Sequence, residues 1–213
     1  MTDIKIPDWL KKILDDSGLD QGIYSFGEGL VELAGLPEEF VGIAECEGGG
    51  LALAKKGDGV VYRLAGGKIQ AYAVDEKEFK LAMRRDEAWE ELSENMPATR
   101  PFWLGIVLKT KNEAGEEMTL GFKGESRDSI MVVQGEMKQD EMLEDALNRE
   151  LKSALMITQY QILDVVDEGG DFESQRELVP MFTVMVGVEG FDPQVIGDPQ
   201  IGWINLSKKE MVN

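Results

Sequence analysis

Residues 135–157 read GEMKQDEMLEDALNRELKSALMI, and this stretch decides how the second half of the chain folds. The leucines that recur at every fourth position are Leu143, Leu147 and Leu151. On a helix they would form one apolar stripe, the pattern of a helix that packs on a core. An apolar strand over Ile130–Val133 runs almost directly into the first glycine. The stretch therefore predicts a strand followed by a helix over roughly Gln139–Leu155.

The spacing within this stretch resembles the Nudix box, whose pattern is G-x5-E-x7-R-E-U-x-E-E-x-G-U, with U an aliphatic residue. The residues in register with that pattern are Gly135, Glu141, Arg149, Glu150, Leu151 and Ile157. Three positions depart from it, because Ser153 and Ala154 replace its pair of glutamates and Met156 replaces its last glycine. The apolar strand before the box and the strands after it also resemble the family. The similarity covers about residues 101–213.

The resemblance implies an α/β/α sandwich with a mixed sheet. It also implies a loop over Gly135–Gln139 and a helix over about 140–155 whose leucines Leu143, Leu147 and Leu151 are buried. In an intact box it also implies hydrolysis of a nucleoside diphosphate linked to another moiety. In that family, carboxylates of the box helix gather a divalent metal, usually magnesium, which neutralises the diphosphate and activates water. Here Glu150 alone keeps such a place, and a single carboxylate would bind magnesium weakly. We therefore expect no cofactor and no meaningful hydrolysis.

The replaced glutamates have a structural interpretation as well. Ala154 lies at an angle between Leu143 and Leu147 on the helix, so it would extend the apolar stripe. The box arginine, Arg149, mostly organises the box in that family by pairing with acids. Its presence therefore supports the fold more than the activity.

A divergent hydrolase is the first alternative. Glu141 and Asp145 lie one turn apart on the Arg149 side of the helix, so they could form a rearranged site with an acid of the loop Asp167–Glu177. Catalysis would then rest on Glu150, Glu141 and Asp145, with magnesium or manganese held through Glu150. If the helix is instead an ordinary surface helix, Asp145 and Arg149 form a simple i, i+4 pair.

The composition excludes several chemistries. The 213 residues include 41 acidic and 22 basic side chains, a formal net charge of −19, so we expect no direct binding to nucleic acid. An acidic mimic of nucleic acid is the second alternative. The absence of histidine excludes Ser-His-Asp and Cys-His catalysis and imidazole metal ligands. The single cysteine, Cys46, excludes an intramolecular disulfide, and its two flanking glutamates disfavour a thiolate.

The apolar runs are too short to cross a bilayer, and the first residues lack the pattern of a signal peptide. These features predict a soluble cytoplasmic protein without membrane insertion. The chain divides into a small α+β unit over residues 1–95, a linker over 96–101 that contains two prolines, and a Nudix-like domain over 102–213. We expect the strands at Phe102–Thr110 and Leu178–Val188 to share one mixed sheet.

The first block has a mixed pattern of helices and strands and no catalytic constellation. The first predicted helix opens at Pro7-Asp8 and stops near Ser17-Gly18, the second covers roughly Glu28–Ala34, the third runs from Pro37 to the glycines at 48–50, and the fourth is Glu76–Glu94. The predicted strands are Leu51–Lys55, Val60–Leu64 and Lys68–Val74. Taken together, the two blocks predict an α+β protein with a degenerate Nudix box. We expect a non-catalytic binding or assembly module that acts through contacts with a protein partner or with itself.

Overall fold

The computed structural model describes residues 6–17, 20–122, 129–174, 177–206 and 210–211. The chain forms two compact units, Met1–Glu87 and Ala88–Asn213. Both units combine helix and sheet, so the predicted α+β class is confirmed. None of the helices in these described ranges is long and apolar enough to cross a bilayer.

The first unit is built on an antiparallel sheet whose strands follow one another in chain order. Its elements are α1 (Asp8–Ser17), β1 (Asp20–Gln21), β2 (Tyr24–Val31), β3 (Phe40–Cys46), β4 (Gly49–Ala54), β5 (Val61–Ala65), β6 (Lys68–Ala73) and the start of α2 (Glu76–Ser93). Leu10 and Ile13 of α1 and Phe79 of α2 share one buried cluster with side chains of the sheet. The amphipathic helices therefore cover the sheet's apolar face.

Two helix predictions in this unit are wrong. The segment predicted as a helix over Glu28–Ala34 contains the second half of β2, and the helix predicted from Pro37 contains all of β3. Tyr24 and Phe26 are buried on either side of an exposed Ser25, which is the two-residue period of a strand. Each of the two strands also pairs with neighbours along the sheet, so tertiary hydrogen bonding overrides a helical pattern that was only local.

The second unit contains the stretch that decides its fold. Its elements after α2 are β7 (Phe102–Lys111), β8 (Glu117–Phe122), β9 (Ser129–Ile130), β10 (Val132–Met137), α3 (Leu143–Leu155), β11 (Gln161–Val166), β12 (Asp171–Ser174), β13 (Glu177–Gly187), a short 3-10 helix (Pro193–Ile196), β14 (Ile201–Asn205) and β15 (Glu210–Met211). The main path of the sheet is β11-β13-β7-β8-β14-β15, and β10 pairs with β7.

The sheet of the second unit is mixed, as predicted. Strands β7 and β13 run parallel, with Trp103 opposite Met181 and Lys109 opposite Gly187. The pair of β10 with β7 is antiparallel and places Gly135 opposite Leu104. The two strands expected to share one sheet are therefore its central neighbours.

Helix α3 packs on this sheet through its leucine stripe. The predicted stripe residues Leu143, Leu147 and Leu151 are all buried. They share one buried cluster with Leu104 and Phe182 of the central strands, so the predicted burial is confirmed. The predicted loop at Gly135–Gln139 begins later than expected, at Lys138, because β10 continues through Met137 by pairing with the start of β7.

The segment predicted as a linker, residues 96–101, is part of the second unit. Ala98 is fully buried. Its backbone N–H donates to the carbonyl of Glu141 at 3.0 Å, and its carbonyl accepts from the N–H of Asp140 at 2.8 Å. Thr99 donates from its backbone and its hydroxyl to the buried carboxylate of Glu91. The bonds of Ala98 hold the two-proline segment against the loop that precedes α3, and those of Thr99 hold it against Glu91 of α2.

Candidate functional site

Arg149 is the centre of the site that the box residues form. Its guanidinium makes a forked pair with Glu141, with Nε 3.0 Å from Oε1 and Nη2 2.8 Å from Oε2. Nη2 also donates to the carbonyl of Glu136, at the end of β10, at 2.6 Å. Nη1 donates to the carboxylate of Glu150. One side chain of α3 thus ties together the strand before the loop, the loop and the helix.

Glu141 is a partner in this pair and not a free acid. Its carboxylate also accepts from the backbone N–H of Lys138 at 2.8 Å. The hydrogen bonds from Arg149, and then the one from Lys138, hold the pKa of Glu141 below its usual value against the opposing effect of burial. In return, the hydrogen bond to Glu141 raises the pKa of Arg149. Both groups therefore stay ionised, and their charges serve to fix the loop between β10 and α3.

Glu150 lies directly over the backbone of Gly135. A Cβ added at Gly135 would lie 2.2 Å from Cγ and 2.4 Å from Cδ of Glu150, distances that no real contact reaches. The side chain of Glu150 is only 20% exposed, and its carboxylate is bound by Arg149. The box glycine is therefore needed because the box glutamate occupies the space that any side chain would take.

The two positions that lack the box glutamates face solvent. Ser153 and Ala154 are both exposed, in the last turn of α3. The prediction that Ala154 extends the apolar stripe is therefore wrong. Each i, i+4 step moves the leucine stripe about 40° around the helix, so in the last turn the buried face is that of Leu151 and Leu155, and Ala154 lies outside it. The residue types that replace the glutamates are not explained by packing.

Asp145 is placed differently from the other candidate acids. It is exposed, and the described carboxylate partners of Arg149 are Glu141 and Glu150. Asp145 instead lies near Tyr160, whose pKa is raised by burial and then by the charges of Glu144 and Asp145. The structure thus brings together Glu141, Arg149 and Glu150 and leaves Asp145 outside that group.

Met156 occupies the place of the last box glycine in the conformation that favours glycine. Its φ is 59° and its ψ is 19°, in the left-handed region. Its N–H donates to the carbonyl of Lys152 at 3.1 Å, and the N–H of Ile157 donates to that of Leu151 at 3.2 Å. These bonds form the Schellman ending of a helix, in which glycine is preferred. The glycine in the family pattern was the signal that could have predicted this ending.

The residues at the three metal-binding positions of the family do not fit a magnesium ion. They supply one carboxylate, already paired with Arg149, one hydroxyl and one methyl group. Magnesium prefers several oxygen ligands in octahedral geometry. Within the described ranges, no group of three or more Asp, Glu, Cys or His side chains could hold a metal ion. The rearranged site of the divergent hydrolase would need an acid of the loop Asp167–Glu177. One acid of that loop, Glu168, has a carboxylate that accepts a hydrogen bond from the Thr183 hydroxyl at 3.1 Å.

The first unit contains a second polar cluster, centred on Asp86, that the sequence did not reveal. The buried carboxylate of Asp86 accepts from the hydroxyls of Tyr24 and Tyr72, each at 2.7 Å, and from Arg63. Burial, and then the charge of Asp86, raise the pKa of both tyrosines. Tyr24 and Asp86 are 62 positions apart, so no local pattern could connect them.

Solved structures similar to this chain are Nudix hydrolases. An Ap4A hydrolase from C. elegans is 17% identical, with 51% of this chain and 83% of that chain covered and a TM-score of 0.36. A hydrolase of the NUDIX family from Clostridium perfringens is 12% identical, with 55% and 90% covered and a TM-score of 0.30. A mutT/nudix family protein from Listeria innocua is 16% identical, with 53% and 82% covered and a TM-score of 0.33. No protein-family model and no curated protein matches the sequence.

Proposed function

We propose that this chain is a non-catalytic binding module, in which the frame of a Nudix-like box is kept and its metal chemistry is lost. The observation that supports the proposal most is the position of Glu150. It is the only acid at the three metal-binding positions, and its carboxylate is paired with Arg149 while its stem covers Gly135. Such a group braces a helix against a strand and leaves little free charge for a metal.

The proposed contact surface is an apolar patch formed by Ile130 and Val132. These side chains are 42% and 39% exposed, and Met131 between them packs against the buried core, so the two share one face of the sheet. Their cross-strand neighbours on that face include Gly121, which adds no side chain. We propose that this exposed apolar pair is the centre of a contact with another protein.

The charge of the chain indicates what the partner would carry. A net charge of −19 makes a second copy of this chain a poor partner, because the two surfaces repel one another. A partner with basic residues around an apolar centre would be attracted instead. We therefore propose a different, basic protein as the partner and expect the association to weaken as salt is added.

The loss of catalysis is tested by calorimetric titration with Mg²⁺ and Mn²⁺, combined with a turnover screen on nucleoside-diphosphate-linked compounds. The variants are the wild type and Glu150→Gln, which keeps the volume of the side chain that covers Gly135. We expect no saturable metal binding and no turnover in either protein. Wild-type turnover that disappears in Glu150→Gln would overturn the proposal in favour of a divergent hydrolase.

The contact surface is tested by capturing proteins from a lysate of the source cells on immobilised wild type, Val132→Lys and Val195→Lys. Val195 is a matched control because it is an exposed valine, 54% accessible, outside the patch. We expect a basic protein that is retained by the wild type and by Val195→Lys but lost with Val132→Lys. Equal retention by all three proteins would contradict this surface, and sedimentation velocity on the wild type would show whether a second copy binds instead.

A further inference from the structure

A groove of about 570 Å³ lies where the parallel strands β7 and β13 end, all of it within the second unit. The residues that line it include Lys109, Lys111, Glu117, Tyr160, Leu163 and Gly187. The volume falls within the range of about 300–1,000 Å³ that is typical of sites for small molecules. No residue of the degenerate box lines the groove.

The groove exists because β13 ends at Gly187, opposite Lys109, while β7 continues to Lys111 and the two chains then separate. The N–H of Val188 donates to the carbonyl of Lys109 at 2.9 Å, which is the last bond between them. Beyond it, β7 turns back into β8, while β13 continues into a turn at Gly190. Crevices at the carboxyl ends of parallel strands, where successive chains leave in different directions, are common ligand sites.

Two lysines of β7 lie on the same side of the strand at the edge of this groove. Lys109 is largely buried, and its Nζ is 2.7 Å from Oε1 of Glu117. Lys111 is exposed and, within the described residues, makes no ion pair. In a chain with a net charge of −19, a cation without an acidic partner at the mouth of a groove indicates a place for an anionic group.

The other walls limit the charge and shape of a ligand. Glu117 and Glu189 also line the groove. The charge of Glu117 is balanced by Lys109, whereas Glu189 would disfavour a ligand with more than one negative charge. Leu163 is 49% exposed and lies over Gly187, where an added Cβ would be 3.2 Å from its Cδ2. The ring of Tyr160 is held in place because its hydroxyl donates to the carbonyl of Glu144 at 3.1 Å. Leu163 and Tyr160 therefore give the groove an apolar wall, and Lys111 gives it a positive charge that is not in an ion pair within the described residues.

We propose that this groove binds a small organic monocarboxylate, with the carboxylate at Lys111 and a short apolar chain on Leu163 and Tyr160. The site is distinct from the box. Gly135 lies opposite Leu104, and Lys109 is further along the same strand by roughly 17 Å, at about 3.3 Å per residue. The inference therefore does not depend on the proposed loss of metal chemistry or on the Ile130 and Val132 patch.

The test uses NMR chemical-shift titration of the full chain with 4-methylpentanoate. The neutral 4-methylpentanamide has nearly the same shape and serves as the charge control, and inorganic phosphate tests for a general anion site. The protein variants are Lys111→Gln, which removes the proposed cation, and Lys152→Gln, which removes an exposed lysine on α3. Both positions are exposed, so both variants should fold.

We expect saturable shifts confined to the groove with the carboxylate, and weaker binding by about fivefold in Lys111→Gln. The amide and phosphate should bind more weakly than the carboxylate, and Lys152→Gln should bind like the wild type. Three results would each overturn the proposal: no saturable shifts in the groove, equal binding of the amide, or no effect of Lys111→Gln. Stronger binding of phosphate would identify a general anion site and would also overturn it.

Discussion

The side chain of Glu150 occupies the space where a side chain at position 135 would lie, with its Cγ 2.2 Å from an ideal Cβ on Gly135. The two box positions are 15 residues apart in the sequence and meet where α3 packs on β10. A glutamate at position 150 therefore requires a residue without a side chain at position 135. Arg149 holds the glutamate there by pairing with its carboxylate. In this chain the pair contributes to packing between a helix and a strand.

We predict that Gly135→Ala destabilises the protein by about 2 kcal/mol, because an overpacked buried site must shift the helix or the glutamate. In a Glu150→Ala background the same substitution should cost less, since the obstructing stem is gone. Urea unfolding of the four proteins of this double-mutant cycle gives the coupling directly. If the two substitutions add without coupling, Glu150 does not lie over Gly135 in solution.

We predict that Met156→Gly stabilises the protein by about 1 kcal/mol, because a non-glycine residue in the left-handed region is strained. Little apolar contact is lost, since Met156 is 73% exposed. Met96 is a suitable control, as an exposed methionine without a positive φ. Thermal unfolding of Met156→Gly and Met96→Gly should show a higher Tm for the first and an unchanged or lower Tm for the second.

The Glu141 and Arg149 pair predicts how stability depends on acid. The pKa of Glu141 is below its usual value in the folded protein, so the unfolded chain binds a proton more readily. The stability that this carboxylate contributes is present above its unfolded pKa and is lost as the pH falls through the folded one. Glu141→Gln should therefore flatten the dependence of the unfolding free energy on pH between about 3 and 5. In an Arg149→Met background, Glu141→Gln should change this slope much less.

We predict that Asp86→Asn costs about 3 kcal/mol, because Arg63 would lose the carboxylate that balances its charge at a mostly buried site. Asp58→Asn is the control, since Asp58 also accepts a tyrosine hydroxyl, from Tyr62, but at an exposed site. It should cost less than about 1 kcal/mol. Denaturant unfolding of both variants compares them, and equal costs would show that the buried cluster contributes no more than a surface pair.

The same cluster predicts the response to alkali. Burial and Asp86 raise the pKa of Tyr24 and Tyr72, so these hydroxyls keep their protons when the unfolded chain has begun to lose them near its usual pKa of about 10. Stability should therefore fall as the pH rises above that value. In an ultraviolet titration, ionisation of these two tyrosines should coincide with unfolding of the first unit, and Asp86→Asn should lower the pH at which both occur.

Restoring glutamate at positions 153 and 154 tests whether the box helix can still hold a metal ion. Ser153 and Ala154 are exposed, so Ser153→Glu together with Ala154→Glu should fold and should bind Mn²⁺ measurably when titrated by calorimetry. Asn148→Glu with Lys152→Gln is the control, because it changes the net charge equally at other exposed positions of α3. Binding by both double variants would mean that charge alone attracts the ion and that the box geometry does not contribute.

The sequence alone determined the elements whose periods and spacings are local. The four-residue repeat of Leu143, Leu147 and Leu151 predicted a buried helix, and the apolar runs predicted the strands Phe102–Thr110 and Leu178–Val188. That the two strands share one mixed sheet followed from the resemblance to the Nudix box. These element predictions are correct because residues that pack on one buried face must recur with the period of the helix or strand that carries them.

Only the tertiary structure decided the features that depend on distant partners. The second half of β2 and all of β3 were predicted as helices, because the hydrogen-bonded ladder that makes them strands comes from neighbours elsewhere in the chain. Ala154 lies at an angle between Leu143 and Leu147, yet it is exposed because the buried face has moved round to Leu151 and Leu155 in the last turn. The placement of Glu150 over Gly135 and of three donors around Asp86 likewise requires surfaces that meet only when the chain is folded.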